Sequence, residues 1–179
     1  MTKFFETKLP GLMRLVRPTA TEHNNSLYDE VVNIEELSRV IGKPFHLQQV
    51  NHSRSVKGVL RGLHAERWDK IVWVPRGRAF SAIVDIRPDS PTFGQHATFE
   101  LSNENRQALY IPEGFANSAF ALEDLDYMYM VTKLYDGSDT FAVAWDDPDI
   151  NVSWPHRDPI ISQRDRNNPR LRQLFPEKF

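Results

Sequence analysis

The chain has 179 residues, 40% of them hydrophobic and 26% charged, with a formal net charge of −2 at pH 7 and no cysteine. That length suits one domain with an adequate core, the balanced charge gives no basic field for nucleic acid or an anionic membrane, and the missing cysteine excludes disulfides and thiol nucleophiles. No run reaches the roughly 18 apolar residues needed to span a bilayer, and "MTKFFETKLPGLMRLVRP" lacks the long apolar stretch of a signal peptide, so a cytoplasmic protein is expected.

The first 30 residues are the least regular, and they suit an arm or an edge strand that pairs with another subunit. "NIEELSRVIG" (33–42) sets Ile34, Leu37, Val40 and Ile41 on one stripe and stops at a glycine, which predicts a helix. "GVLRGLH" reads as an apolar strand ending at His64, and Lys70 opens the next strand, "KIVWV" (70–74). With "AFSAIVDI" (79–86) the latter flanks "PRGR", a hairpin signal. "HATFEL" (96–101), "ALYIP" (108–112) and "DYMYMVTKLY" (126–135) alternate polar and apolar residues, and the tail "RDRNNPRLRQLF" suits one or two helical turns. Many short alternating strands with little helix predict an all-β protein, an antiparallel β-sandwich or jelly-roll barrel with short flanking helices, as one domain over residues 1–179.

A barrel of this type is often a cupin, and metal-binding cupins supply an H-x-H pair, a nearby glutamate and a later P-x-G-x-x-H. Here Glu66 stands where the second histidine would be, and "PEGFAN" ends on Asn117 instead of the last ligand. Three ligands at that spacing cannot be found. No metal and no cofactor are expected.

"NHSRSVKGVLRGLH", "VDIRPDSPTFGQ", "LSNENRQALYIPEGFA", "WDDPDINVSWP" and "ISQRDRNNP" appear in consistent order over roughly residues 45 to 170. In these segments the chain resembles the nucleotide-sugar 3,5-epimerases of the rhamnose pathway, typified by dTDP-4-dehydrorhamnose 3,5-epimerase. The resemblance implies a metal-free cupin jelly roll, usually a homodimer, that inverts carbons beside the 4-keto group of a nucleotide-diphospho sugar. Such an isomerase would serve surface polysaccharide (O-antigen) or glycosylated metabolite synthesis.

The chemistry asks for a base to remove a proton alpha to a ketone, a group to stabilise the enolate, and an acid on the opposite face. A lone histidine on a strand is more often structural, but His64 matches the family's catalytic base, a role worth about 10²–10⁴-fold. Asp165 matches the aspartate that pairs with it and fixes its tautomer; Ser162 and "SQRD" equally suit a helix start. Lys70, otherwise an ordinary strand-end lysine, matches the residue that stabilises the enolate, an effect of about 3–4 kcal/mol. Alternation puts Tyr127, Tyr129 and Val131 on one face and Met128 and Met130 on the other, a packing stripe by itself. By resemblance Tyr129 returns the proton and Tyr135 stacks on the nucleotide base. Arg61 matches a diphosphate contact, Gln49 and Asn51 match polar binding residues, and His52 matches a pocket histidine.

Four departures bear on the substrate. The family's D-x-R-G-x-F is replaced by "EHNNSLYDE", where Asn25 and Ser26 displace Arg-Gly while Tyr28 and Glu30 keep the aromatic and acidic binding positions. "HAERWDK" is four residues shorter than the family's usual loop, Asn117 replaces a histidine at the substrate end of the pocket, and Ser81 replaces a frequent aspartate. Losing the arginine removes a charge-assisted contact of about 1.5–3 kcal/mol, for which Arg54, Lys57 and Arg67 are the basic residues at hand. The alternatives are a C3-only epimerase or keto-isomerase on a GDP- or CDP-linked 4-keto sugar, or a non-catalytic nucleotide-sugar-binding cupin. The joint presence of His64, Lys70, Tyr129 and Asp165 argues against the last, because binding alone needs no such set.

Overall fold

The computed structural model describes residues 1–18, 21–23, 26–135, 137 and 140–179. In chain order the strands are β1 (Lys3–Glu6), β2 (Met13–Val16), β3 (Thr21–His23), β4 (Ser26–Tyr28), β5 (Gln49–Ser55), β6 (Val59–Glu66), β7 (Lys70–Arg76) and β8 (Arg78–Asp85). They continue as β9 (His96–Ser102), β10 (Gln107–Ile111), β11 (Phe115–Ala121), β12 (Leu125–Val131), β13 (Thr140–Ala142) and β14 (Ile160–Ile161). The helices are short: α1 (Ile34–Ile41), α2 (Gln163–Arg166) and α3 (Leu171–Leu174).

One sheet runs β1-β2-β10-β7-β12-β5 and the other β13-β6-β11-β8-β9, with β14 parallel to β6 and β3 paired to β4 alone. The ladders within both sheets are antiparallel. Strand alternation divides the apolar residues. Val72, Val74, Ile83, Leu101, Leu109, Phe115 and Tyr127 meet between the sheets. Ile71, Trp73, Met128 and Met130 pack on the outer face of the first sheet beneath Leu37 of α1. Leu63, Ala65, Val84 and Ala116 do the same for the second sheet beneath Val143, Ile150 and Leu171. The all-β cupin-like sandwich expected from the strand pattern is therefore the fold, and the 126–131 alternation holds.

The predicted helix is also present. The Asn33 side chain caps it by accepting from Glu36 N–H at 3.0 Å, and Gly42 ends it in the left-handed region at φ 72°. One expectation is corrected. "PRGR" is not the turn of a paired hairpin: β7 pairs with β10 and β12, whereas β8 pairs with β9 and β11. Gly77 turns the chain from one sheet to the other, at φ 79° and so close to Asp124 that a Cβ would lie 2.4 Å from its carbonyl oxygen. At the start of the chain β1 is the edge strand of the first sheet, with β2 between it and β10. No helix among the described residues is long and apolar enough to cross a membrane.

Candidate active site

The site lies between the sheets where β6 crosses to β7. Arg67, Trp68 and Asp69 make this crossing, and the buried Asp69 pins it by accepting from Tyr110 Oη at 2.9 Å and Lys43 Nζ at 2.7 Å. His64 and Lys70 consequently belong to facing sheets and look at each other across the interior.

A glycine and a bulge bring β6 to the required shape. Asn117 pairs with His64 and Ala119 with Arg61, so β6 carries one more residue than β11 over this span. Strict alternation would send residues 61 and 64 to opposite faces; the extra residue turns both inward. Gly62 has φ 117°, and a Cβ there would lie 2.6 Å from the Asn117 carbonyl oxygen.

The outer edge of β6 is covered by β13 opposite residues 64–66 and by β14 opposite 59 and 60. Asp165 fills the gap. Its Oδ2 accepts from Gly62 N–H at 3.3 Å, and its Oδ1 lies 2.8 Å from His64 Nε2. Asp165 N–H in turn donates to Ser162 Oγ at 3.1 Å, so the residue serves both the start of α2 and the histidine. Burial pushes the Asp165 carboxyl up, but His64, Gly62 N–H and the charge of Arg164 outweigh burial and hold it below the ordinary carboxylate range. As a carboxylate it accepts the Nε2 proton, which leaves the Nδ1 lone pair of His64 free to act as a base.

An inner cavity of about 100 Å³ is lined by Ser53, Arg61, His64, Glu66, Lys70, Asn117, Ala119, Tyr127 and Tyr129. It adjoins an outer one of about 200 Å³ lined by Gln49, Asn51, His64, Glu66, Trp68, Tyr129, Val131, Tyr135 and Arg164. A larger cleft of about 490 Å³ lies elsewhere, and another of about 520 Å³ shares Glu66 with the site; neither is lined by a histidine. In the inner cavity the Lys70 ammonium donates to Glu66 Oε2 at 2.7 Å and Asn117 Oδ1 at 3.1 Å, and it sits 5.3 Å from the centre of the Tyr129 ring. An ammonium has three N–H donors, so one remains for a ligand. Burial pushes the Tyr129 phenol up; the charge of Glu66 adds to this and Arg61 opposes it. Arg61 Nε donates to Ser55 Oγ at 3.1 Å, and Gln49 Nε2 to Asn51 Oδ1 at 2.5 Å.

Nine of the residues singled out in the sequence thus converge: His64, Asp165, Lys70, Tyr129, Arg61, Gln49, Asn51, Asn117 and Tyr135. His52 does not. Along β5, Gln49, Asn51 and Ser53 face the cavities, and His52 faces the other side, 3.0 Å from Asp126. Tyr28 and Glu30 are exposed and line neither cavity. Asn25 lies outside the described residues, and of Ser26 only the backbone is described. Arg54 is held by Asp126 at 2.9 Å, and Arg67 opens on the 520 Å³ cleft. Sequence reasoning missed Arg164 and gave Tyr127 only a packing role, although one neighbours Asp165 in the chain and the other shares a strand face with Tyr129. Among the described residues, no group of three His, Asp or Glu side chains could hold a metal ion.

The likeness of the chain to known proteins runs over almost its whole length. Residues 6–173 match the family described as dTDP-4-dehydrorhamnose 3,5-epimerase. The chain is 39% identical over 178 residues to the dTDP-4-dehydrorhamnose 3,5-epimerase of Methanothermobacter thermautotrophicus, covering 96% of this chain and 95% of that one. It is 33% identical over 140 residues to the dTDP-4-dehydrorhamnose 3-epimerase of Streptomyces niveus, covering 75% and 68%. The crystal structure of the Legionella pneumophila dTDP-6-deoxy-D-glucose-3,5-epimerase in complex with dTDP-4-keto-L-rhamnose superposes with a TM-score of 0.92 at 31% identity, covering 99% of this chain and 96% of that one. This chain belongs to the dTDP-4-dehydrorhamnose 3,5-epimerase family, a family of isomerases.

Proposed function

We propose that this chain inverts both C3 and C5 of a nucleotide-diphospho-4-keto-6-deoxy sugar, with dTDP as the carrier. The observation that carries the reading is the convergence of an Asp165-oriented His64, Lys70 and Tyr129 on one cavity. His64 Nδ1 removes the proton beside the ketone. The electron pair moves onto the C4 oxygen, where the remaining N–H of Lys70 meets the charge. Tyr129, held in its protonated form by burial and Glu66, gives a proton to the opposite face. Substrate and product are isomers, so the reaction consumes no electrons and needs no redox partner. Glu66 and Asn117, at the positions of cupin metal ligands, both accept from the Lys70 ammonium, a cation that repels a second one.

Arg61 and Arg164 flank the route from sugar to nucleotide and suit the diphosphate, with Arg164 taking the part of the arginine missing from the N-terminal segment. Tyr135, 55% exposed at the outer cavity, suits stacking on the base, and Gln49 and Asn51 hold the intervening groups. The protein is read as one domain acting as a homodimer in the cytoplasm.

A C3-only epimerase is the second reading, favoured by the similarity to the Streptomyces niveus 3-epimerase. The test is proton NMR in D2O with dTDP-, GDP- and CDP-4-keto-6-deoxyglucose. Deuterium entering C3 and C5 of the dTDP sugar with inversion at both supports the first reading, and C3 alone supports the second. Ketone migration to C3, or binding without exchange, would contradict both.

A further inference from the structure

Tyr127 is buried, only 6% exposed, and its hydroxyl has no hydrogen-bond partner among the described residues. The same side chain lines the inner cavity with His64, Lys70 and Tyr129. It projects from the inner face of β12 two residues before Tyr129, with ring centres 6.3 Å apart. Packing does not account for the oxygen, because burying an unpaired hydroxyl costs about 1–3 kcal/mol that phenylalanine would avoid. Ser81 is the polar side chain that pulls the phenol downward, against burial and Glu66, but its Oγ makes no hydrogen bond with the Tyr127 hydroxyl, and its own O–H goes to the Ser118 carbonyl at 2.5 Å.

We propose that the Tyr127 hydroxyl is a second donor to the sugar oxygen that becomes the enolate, beside the Lys70 ammonium. Two N–H bonds of Lys70 already go to Glu66 and Asn117, so a single ammonium donor is left for a full negative charge. An oxyanion accepts more than one donor, and each pre-positioned donor in a water-excluded site contributes to the rate. The cavity, about 100 Å³, is small enough to bring its lining groups onto one sugar ring. Burial, and then the negative charge of Glu66, push the phenol above its ordinary range, so it keeps its proton at working pH. Tyr127 transfers nothing; it shares a hydrogen throughout the lifetime of the enolate.

The inference rests on the epimerase reading above, and one experiment separates the two. Wild type and Tyr127→Phe are compared on dTDP-4-keto-6-deoxyglucose in D2O, with kcat, KM, C3 wash-in, inversion and Tm measured. The expected result is a kcat lower by about 10²-fold, little change in KM, exchange and inversion falling together, and a Tm equal to or above wild type. An unchanged kcat, or a rise in KM alone, would overturn the proposal. A fall in Tm or failure to fold would assign the hydroxyl a structural role and overturn it too. If the wild type itself exchanged no proton, the epimerase reading would fall, and this inference with it.

Discussion

Asp165→Asn keeps the shape of the side chain and replaces one acceptor oxygen by an NH2 group. The carboxylate takes His64 Nε2 on one oxygen at 2.8 Å and Gly62 N–H on the other at 3.3 Å. An amide has a single oxygen, so one of these contacts must now face a donor. Gly62 N–H cannot change its nature, whereas an imidazole can donate or accept at either nitrogen. The oxygen therefore stays with Gly62, and the amide donates to Nε2. The ring proton moves to Nδ1, the nitrogen that has to take the proton from the sugar. A reversed tautomer of this kind costs about 10⁴ in kcat in Ser-His-Asp hydrolases, so a loss of about 10³–10⁴ is expected here. Stability falls by only about 1–2 kcal/mol, the loss of one charge-assisted bond.

Because the folded state holds Asp165 below the ordinary carboxylate range, its contribution to stability is present above about pH 4 and lost as pH drops through the folded value. The variant should lack that part of the acid limb. Steady-state kinetics, nitrogen NMR of the imidazole and urea unfolding across pH measure the three effects. Turnover close to wild type, with the ring proton still on Nε2, would refute the reasoning.

Asp85 is fully buried and accepts from Arg87 Nε at 2.9 Å, Ser90 Oγ at 2.6 Å and Thr92 Oγ1 at 2.6 Å, so Asp85→Asn should lose about 3–5 kcal/mol in urea unfolding. An unchanged midpoint would contradict this. Gly62→Ala meets the Asn117 carbonyl at 2.6 Å in a backbone conformation foreign to alanine, so it should lower stability by at least about 1–3 kcal/mol and displace His64 from Asp165. Wild-type Tm and turnover would show that β6 can relax. Extended dialysis against EDTA should leave turnover unchanged, and a loss restored by a divalent ion would overturn the acid–base scheme.

The local features were legible because their causes are local. Asn33 and Gly42 bound α1 as capping chemistry dictates, and the 126–131 alternation survives into the packing. The partner of each strand was not legible in this way. "PRGR" looks like a hairpin turn, yet β7 and β8 enter different sheets, because β7 finds both its partners, β10 and β12, more than 25 residues further along the chain, while β8 lies between β9 and the equally distant β11. The inward turn of Arg61 depends on a bulge, and Asp165 reaches His64 only because β13 and β14 leave a gap on β6. The pairing of Lys70 with Glu66 and Asn117 joins facing sheets, so spacing alone shows Glu66 as a failed metal ligand and nothing more. His52 was open to correction by alternation, since residues 49, 51 and 53 cannot share a strand face with residue 52.

The central claim is that His64 and Tyr129 work on opposite faces of one enolate, and deuterium NMR of His64→Ala and Tyr129→Phe with the dTDP-4-keto sugar in D2O tests it most directly. His64→Ala should lose C3 exchange and inversion alike, by about 10²–10⁴-fold. Tyr129→Phe should keep washing deuterium into C3 with retained configuration, because His64 can return a solvent-derived proton to the face it attacked, while inversion falls by a much larger factor. Exchange and inversion falling in parallel in Tyr129→Phe, or inversion undiminished, would contradict the two-face account.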